Sequence, residues 1–232
     1  MRTKTLVLTA LSSFSAIGLM AQSTNVYSLN AVGYINVSCP PGFSIIACQL
    51  IASPDNTIGT LLPISADGHE DGCQFFKFNG SGYASYGADS TSVPPWSPNG
   101  SATLNPGEAG FFENNQITNI IFTFVGTVPQ GTNTVTLNRG FNLVSSPIPQ
   151  SGGITTVLGL SSIASGNNDG DQLFLYNNTG SSAGYASYGV DSTATPPWSP
   201  SEPSIGVGQG FFYEVGSANP VVTWTRVFSV NN

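Results

Sequence analysis

Four aspartates recur in register along this chain, Asp71 and Asp89 in its first half standing where Asp169 and Asp191 stand in its second. Two carboxylates can divide acid and base roles on a glycosidic bond, so each half offers one candidate pair. The neighbouring residues favour a humbler role. Asp71 and Asp169 open Asp-Gly turns, and Asp89 and Asp191 precede Ser-Thr, settings where aspartate ordinarily accepts hydrogen bonds from its own turn. His69 is the only histidine, which leaves one imidazole for any triad or zinc site; within Asp67-Gly68-His69-Glu70-Asp71 it reads as a solvated turn residue. No catalytic residue is assigned, and the chain reads as non-enzymatic.

The same acidic loops suggest a cation. Asp67 and Asp71 in one half, and Asp169 and Asp171 in the other, place hard oxygen ligands at alternate positions, as calcium prefers. Neither loop continues to the terminal Glu of a complete EF-hand, so calcium is the single cofactor candidate and a weakly held one. Gly-rich turns such as Asn105-Pro106-Gly107-Glu108 lead into Phe-Phe strands, not helices, and imply no phosphate cradle.

Aromatic residues form the other constellation. GYASYGADSTSVPPWSP, from Gly82, returns as GYASYGVDSTATPPWSP, from Gly184. Tyr83, Tyr86 and Trp96 thus recur as Tyr185, Tyr188 and Trp198, with Pro-Pro stiffening the approach to each Trp. Exposed, these rings would stack on a saccharide while Asp89 and Asp191 bond its hydroxyls. Buried, they would plug the end of a β core beneath a long crossover, and that is the favoured expectation, because such loops need anchors to be ordered.

The rest of the chain repeats as well. VSCPPGFSIIACQL from Val37 matches VTLNRGFNLVSSPI from Val135, DGCQFFKFN from Asp71 matches DGDQLFLYN from Asp169, and LNPGEAGFFE from Leu104 matches IGVGQGFFYE from Ile205. Identical order at a period of about 100 residues marks a tandem duplication. The runs are short, β-branched or aromatic, and bounded by Gly, Pro and Asn; helix is expected only for a turn or two near Asn56 to Leu62 and Ile154 to Leu160. The expected fold is all-β: two tandem homologous units, each a sandwich or small barrel, over residues 24–127 and 128–232, related by pseudo-translation. The chain resembles the tandem-repeat β modules of secreted, mostly uncharacterised bacterial proteins in this series of GF-N-L-V, DG-x-Q-x-F-x-Y-N, GY-x-SY, Trp and GQGFF segments, and in the opening AVGYINV from Ala31. It departs from the commoner form in carrying Phe43 and Phe141 where Trp is frequent. The resemblance implies secretion and β architecture and carries no activity.

Composition sets the compartment and excludes some partners. Residues 1–23 read as a secretory signal: a basic start, an apolar run broken by Ser12, Ser13, Ser15 and Gly18, and small residues suited to cleavage. No later run is long enough to span a membrane as a helix. Beyond residue 23 only Lys77, Arg139 and Arg226 are basic, against twelve carboxylates, which leaves no footprint for nucleic acid or an anionic membrane surface. Export permits a disulfide among Cys39, Cys48 and Cys73. If the chain from Ile35 to Leu50 were a hairpin turning at Pro40-Pro41-Gly42, Cys48 with Cys73 would be the better pair. The functional expectation is a secreted structural or surface-interaction protein whose partner is a further copy of itself, in a filament or matrix aided by the free segment Ser23 to Asn30. The alternative partner is an extracellular glycan held by the Tyr and Trp stretches.

Overall fold

A computed structural model describes residues 31–160, 168–178 and 183–230; the signal sequence expected over residues 1–23 and the segment Ser23 to Asn30 lie outside the described residues. The first unit runs β1 (Val32–Cys39), β2 (Gly42–Ile46), α1 (Ile58–Leu61), β3 (Gln74–Phe78), β4 (Tyr83–Ala88), β5 (Trp96–Ser97), β6 (Gly110–Asn114) and β7 (Ile120–Thr127). The second runs β8 (Gly131–Leu137), β9 (Gly140–Ser145), β10 (Gly152–Gly153), β11 (Gln172–Asn177), β12 (Gly184–Val190), β13 (Trp198–Ser199), β14 (Ser204–Ile205), β15 (Gly210–Val215) and β16 (Val222–Phe228). Among the described residues α1 is the single helix, one turn long and within the stretch where a turn or two is expected.

The fold is all-β, and each unit is an open sandwich, not a closed barrel. One layer is a five-stranded sheet, β2-β6-β3-β4-β5 in the first unit and β9-β15-β11-β12-β13 in the second. The other layer is a two-stranded ribbon, β1-β7 or β16-β8, whose alternate residues point inward. Phe122 and Phe124 of β7 thereby meet Phe75 and Phe112 of the opposing sheet, the Phe112 and Phe122 rings crossing edge to face at 4.9 Å between centroids. Trp224 and Phe211 fill the same place in the second unit.

Two sequence expectations are corrected here. The segment from Ile35 to Leu50 is no hairpin: β1 pairs with β7 and β2 with β6, so the chain turns a corner between layers at Pro40-Pro41. Proline has no N–H for a ladder, and two in succession end β1 at Cys39. Nor does a pseudo-translation relate the units. The Ala47 N–H donates to the Gly208 carbonyl at 3.0 Å, and the Ser145 N–H, its equivalent, donates to the Gly107 carbonyl at 3.0 Å. Single-residue bridges repeat the reciprocity, Ile46 with Gln209 and Val144 with Glu108. Contacts exchanged this way define an isologous, pseudo-twofold junction. A third apolar cluster sits on it, built from Ile45, Ala47, Ala109 and Phe111 against Leu143 and Phe212.

Glycine makes the close approach possible. Gly107 and Gly208 have φ of +94° and +77°, and a Cβ at either would lie 2.6 Å from a methyl of Val135 or Val37, across the junction. Both requirements, left-handed backbone and no side chain, are met only by glycine.

Candidate functional site

The repeated stretch holds its Trp inside. Trp96 is 1% and Trp198 2% exposed, and each indole N–H is occupied, Trp96 Nε1 donating to the Leu62 carbonyl at 3.0 Å and Trp198 Nε1 to Thr155 Oγ1 at 2.8 Å. Tyr86 packs on Phe75, and Tyr188 on the second core. The aspartates fasten the stretch. Asp89 accepts from the Thr91 N–H, Thr91 Oγ1 and Ser92 Oγ, and Asp191 from the Thr193 N–H and Oγ1. Asp71 takes the Ser90 N–H and hydroxyl, and Asp169 those of Ser192. The hydroxyls of Thr91 and Thr193, first among their partners, hold the Asp89 and Asp191 carboxyls below the usual range; a general acid needs the opposite shift.

The calcium candidates also accept hydrogen bonds from the chain. Asp67 accepts from the His69 N–H, and buried Asp171 receives Asn168, Tyr213, the Gly216 N–H and Asn219. Among the described residues no three His, Cys, Asp or Glu side chains come together as a metal-holding group.

The expected Cys48 to Cys73 pair is not formed: all three cysteines are free and buried. Cys48 donates to the Leu50 carbonyl, whereas Cys73 contacts Asn114, whose amide bonds the Cys39 carbonyl. The hairpin was the error, for with β1 and β2 in different layers Cys39, not Cys48, is the thiol beside Cys73. Burial, and secondly Cys73, push the Cys39 thiol up to about 12; burial pushes Cys48 to about 11.

Of the eight proposed contact residues, only Tyr83 and Tyr185 stand exposed, at 48% and 51%. They leave the plug on the other side of the sheet, because successive strand residues alternate faces. On that outer face the ladders fix whole rows. Phe111, Phe76 and Ser85 lie side by side across β6, β3 and β4, followed two residues along by Phe78 beside Tyr83. The second unit sets out Phe212, Phe174 and Ser187, then Tyr176 beside Tyr185.

The junction brings the two faces together. One cleft of about 360 Å³ is lined by Phe78, Tyr83, Phe141, Phe174, Tyr185 and Phe212. Its counterpart of about 320 Å³ is lined by Phe43, Phe76, Tyr83, Phe111, Tyr176 and Tyr185. Every lining residue of one has its repeat equivalent in the other, and Tyr83 and Tyr185 serve both. Edge-to-face contacts lock the rings, Phe78 on Phe212 at 5.4 Å and Phe111 on Tyr176 at 5.7 Å. Burial foremost, then Tyr83 and Tyr176, push the Tyr185 phenol up to about 12, and burial raises Tyr83; both therefore remain hydrogen-bond donors at neutral pH.

Polar side chains border the rings. The row beyond Phe111 and Phe76 holds Phe43, Glu113 and Gln74, and the matching row holds Phe141, Glu214 and Gln172. These Glu and Gln, with Ser85 and Ser187, make no side-chain hydrogen bond among the described residues. Lys77 alternates to the inner face, where it bonds the Thr103 carbonyl and pairs with Glu108 at 3.1 Å.

Sequence reading missed most of this cleft. The available signal was adjacent apolar residues in QFFKF, GFFE and GFSII: strands apolar on both faces must cover both.

Compared with known protein families, curated proteins and solved structures, the chain matches none. No helix among the described residues is long and apolar enough to cross a membrane.

Proposed function

We propose that this chain is an exported, non-enzymatic binding protein that recognises extracellular glycans through the twin aromatic clefts. The observation that carries the reading is the pairing of ring-lined walls with unengaged Glu, Gln and Ser side chains on one face, present twice. Rings stack on the C–H faces of a sugar, and a few convergent polar groups fix orientation in a pocket of this size. The site is not the one proposed for Trp96 and Trp198, whose indoles are interior. Export rests on the character of residues 1–23. The test is a glycan array probed with the mature protein and with Tyr83→Ala/Tyr185→Ala. Binding by the parent that disappears in the double variant supports the reading; binding unchanged in the variant removes the clefts from it.

A second reading, self-assembly, draws on a different surface. The outer face of the β1-β7 ribbon exposes Val32, Tyr34, Ile121 and Val125, at 57% to 74%. The equivalent face of the second unit carries Thr132 and Thr223 in place of Tyr34 and Ile121. Polymers in negative stain that dissolve on Tyr34→Lys/Val125→Lys would support it; a strictly monomeric protein at high concentration counts against it.

A further inference from the structure

The two clefts are one site. We propose that a single linear, uncharged glycan lies across the pseudo-twofold junction and fills both clefts at once, an inference that rests on the glycan-binding reading above. Three observations carry it. The clefts share walls: Tyr83 and Tyr185 line each of them, so a ligand stacked in one already touches a residue of the other. The Glu and Gln side chains sit at the outer ends, with the Ser85 and Ser187 hydroxyls between them along the rows. Gln74 and Glu113 lie four residues of strand from the row of Phe78 and Tyr83, about 14 Å at the usual strand rise, and Gln172 and Glu214 stand symmetrically beyond Tyr185. A ligand that satisfies both ends must be extended and must offer hydroxyls along its length while presenting apolar faces to the middle. A short apolar molecule would use the rings and leave the polar rows idle.

Charge narrows the class. Glu113 and Glu214 are the carboxylates of these rows, no Lys or Arg stands in them, and the chain carries a net charge of −7. An anionic polymer would bring its charges onto carboxylates without a countercharge, in walls of low polarity where such repulsion is least screened.

The experiment is calorimetric titration of the mature protein with neutral hexasaccharides (cello-, laminari-, xylo- and manno-hexaose) and, for any that binds, with its shorter homologues, alongside polygalacturonate. The expected result is one hexasaccharide per chain, with affinity rising from disaccharide to hexasaccharide as the second cleft is reached. Tyr83→Ala and Tyr185→Ala should each weaken the hexasaccharide about tenfold, since each removes a ring from both clefts, while Tyr83→Phe, which keeps the ring, should bind within about twofold; thermal melts confirm that each variant is folded. Two hexasaccharides per chain, or affinity independent of length, overturns the single continuous site. Binding of polygalacturonate equal to that of the neutral chains overturns the charge assignment. Failure of all four neutral chains while another sugar binds overturns the ligand class and leaves the glycan-binding reading standing; failure of every sugar removes that reading itself.

Discussion

Replacing each buried Trp by Phe should cost the two units different amounts. Trp96 and Trp198 are equally interior, so the loss of ring volume is common to both, about 1–2 kcal/mol by comparison with other large-to-small core changes. Their hydrogen bonds differ. Trp96 donates to the backbone carbonyl of Leu62, a residue with no exposure, and Phe leaves that carbonyl without this partner, at about 1–3 kcal/mol. Trp198 donates to Thr155 Oγ1, a partly exposed hydroxyl that already donates to the Leu160 carbonyl at 3.3 Å; water can replace the indole there. Trp96→Phe is therefore expected to destabilise by about 2–5 kcal/mol and Trp198→Phe by about 1–2 kcal/mol. Guanidinium unfolding followed by far-ultraviolet circular dichroism measures both. Equal costs, or a larger cost at Trp198, would refute the assignment of the difference to the orphaned carbonyl. Variants that stay as stable as the parent would refute the view of the repeated stretch as a structural plug.

Two further outcomes follow from the junction and from the buried thiols. Gly208→Ala and Gly107→Ala each place a methyl 2.6 Å from a valine methyl on left-handed backbone, so each should destabilise by about 2–4 kcal/mol, read as a lowered unfolding midpoint; an unchanged midpoint would mean that the units do not close as described. Because Cys39 is raised from 9.0 to about 12 and Tyr185 from 10.0 to about 12, the folded state keeps protons that the unfolded chain has lost. Stability from these groups is complete below pH 9 and declines as pH rises toward 12, so melting temperatures should fall through that window, and Cys39→Ser should flatten the decline; a midpoint independent of pH there would contradict the burial of these groups.

The duplication was legible because the two halves keep turn residues and ring positions in register, and the β class because short β-branched and aromatic runs end at Gly and Pro. Self-comparison also singled out Tyr83 and Tyr185, yet grouped them with Trp96 and Trp198, which face the opposite way. A sequence repeat reports that a residue is constrained, not on which side of the sheet it acts. Phe76 and Phe111 went unremarked as a site because each lies next to another Phe and reads as core, and Phe43, between Gly42 and Ser44, was weighed only as the place where Trp is frequent. The second unit completes the cleft about 100 residues away. Spacing within a strand predicts faces; it does not predict which distant face is brought opposite. The Cys pairing failed for a related reason, since Pro40-Pro41 reads equally well as a hairpin tip and as a corner between layers.

The reciprocal junction has a bearing on how such a chain is built. A self-complementary surface is what a homodimer uses, and this protein is a dimer in all but covalent structure, its protomers spliced through Val128, Pro129 and Gln130. The splice keeps the partner at an effective concentration on the order of millimolar, so assembly no longer depends on how much of the protein is present. It also releases each half from having to match its twin. The first unit holds Cys73 and Asn114 where the second holds Asp171 and Val215, and the outer ribbons have parted further, one toward Tyr and Val, the other toward Thr. A true homodimer would express any such change on both sides at once; fusion lets one half specialise while the shared cleft stays symmetric.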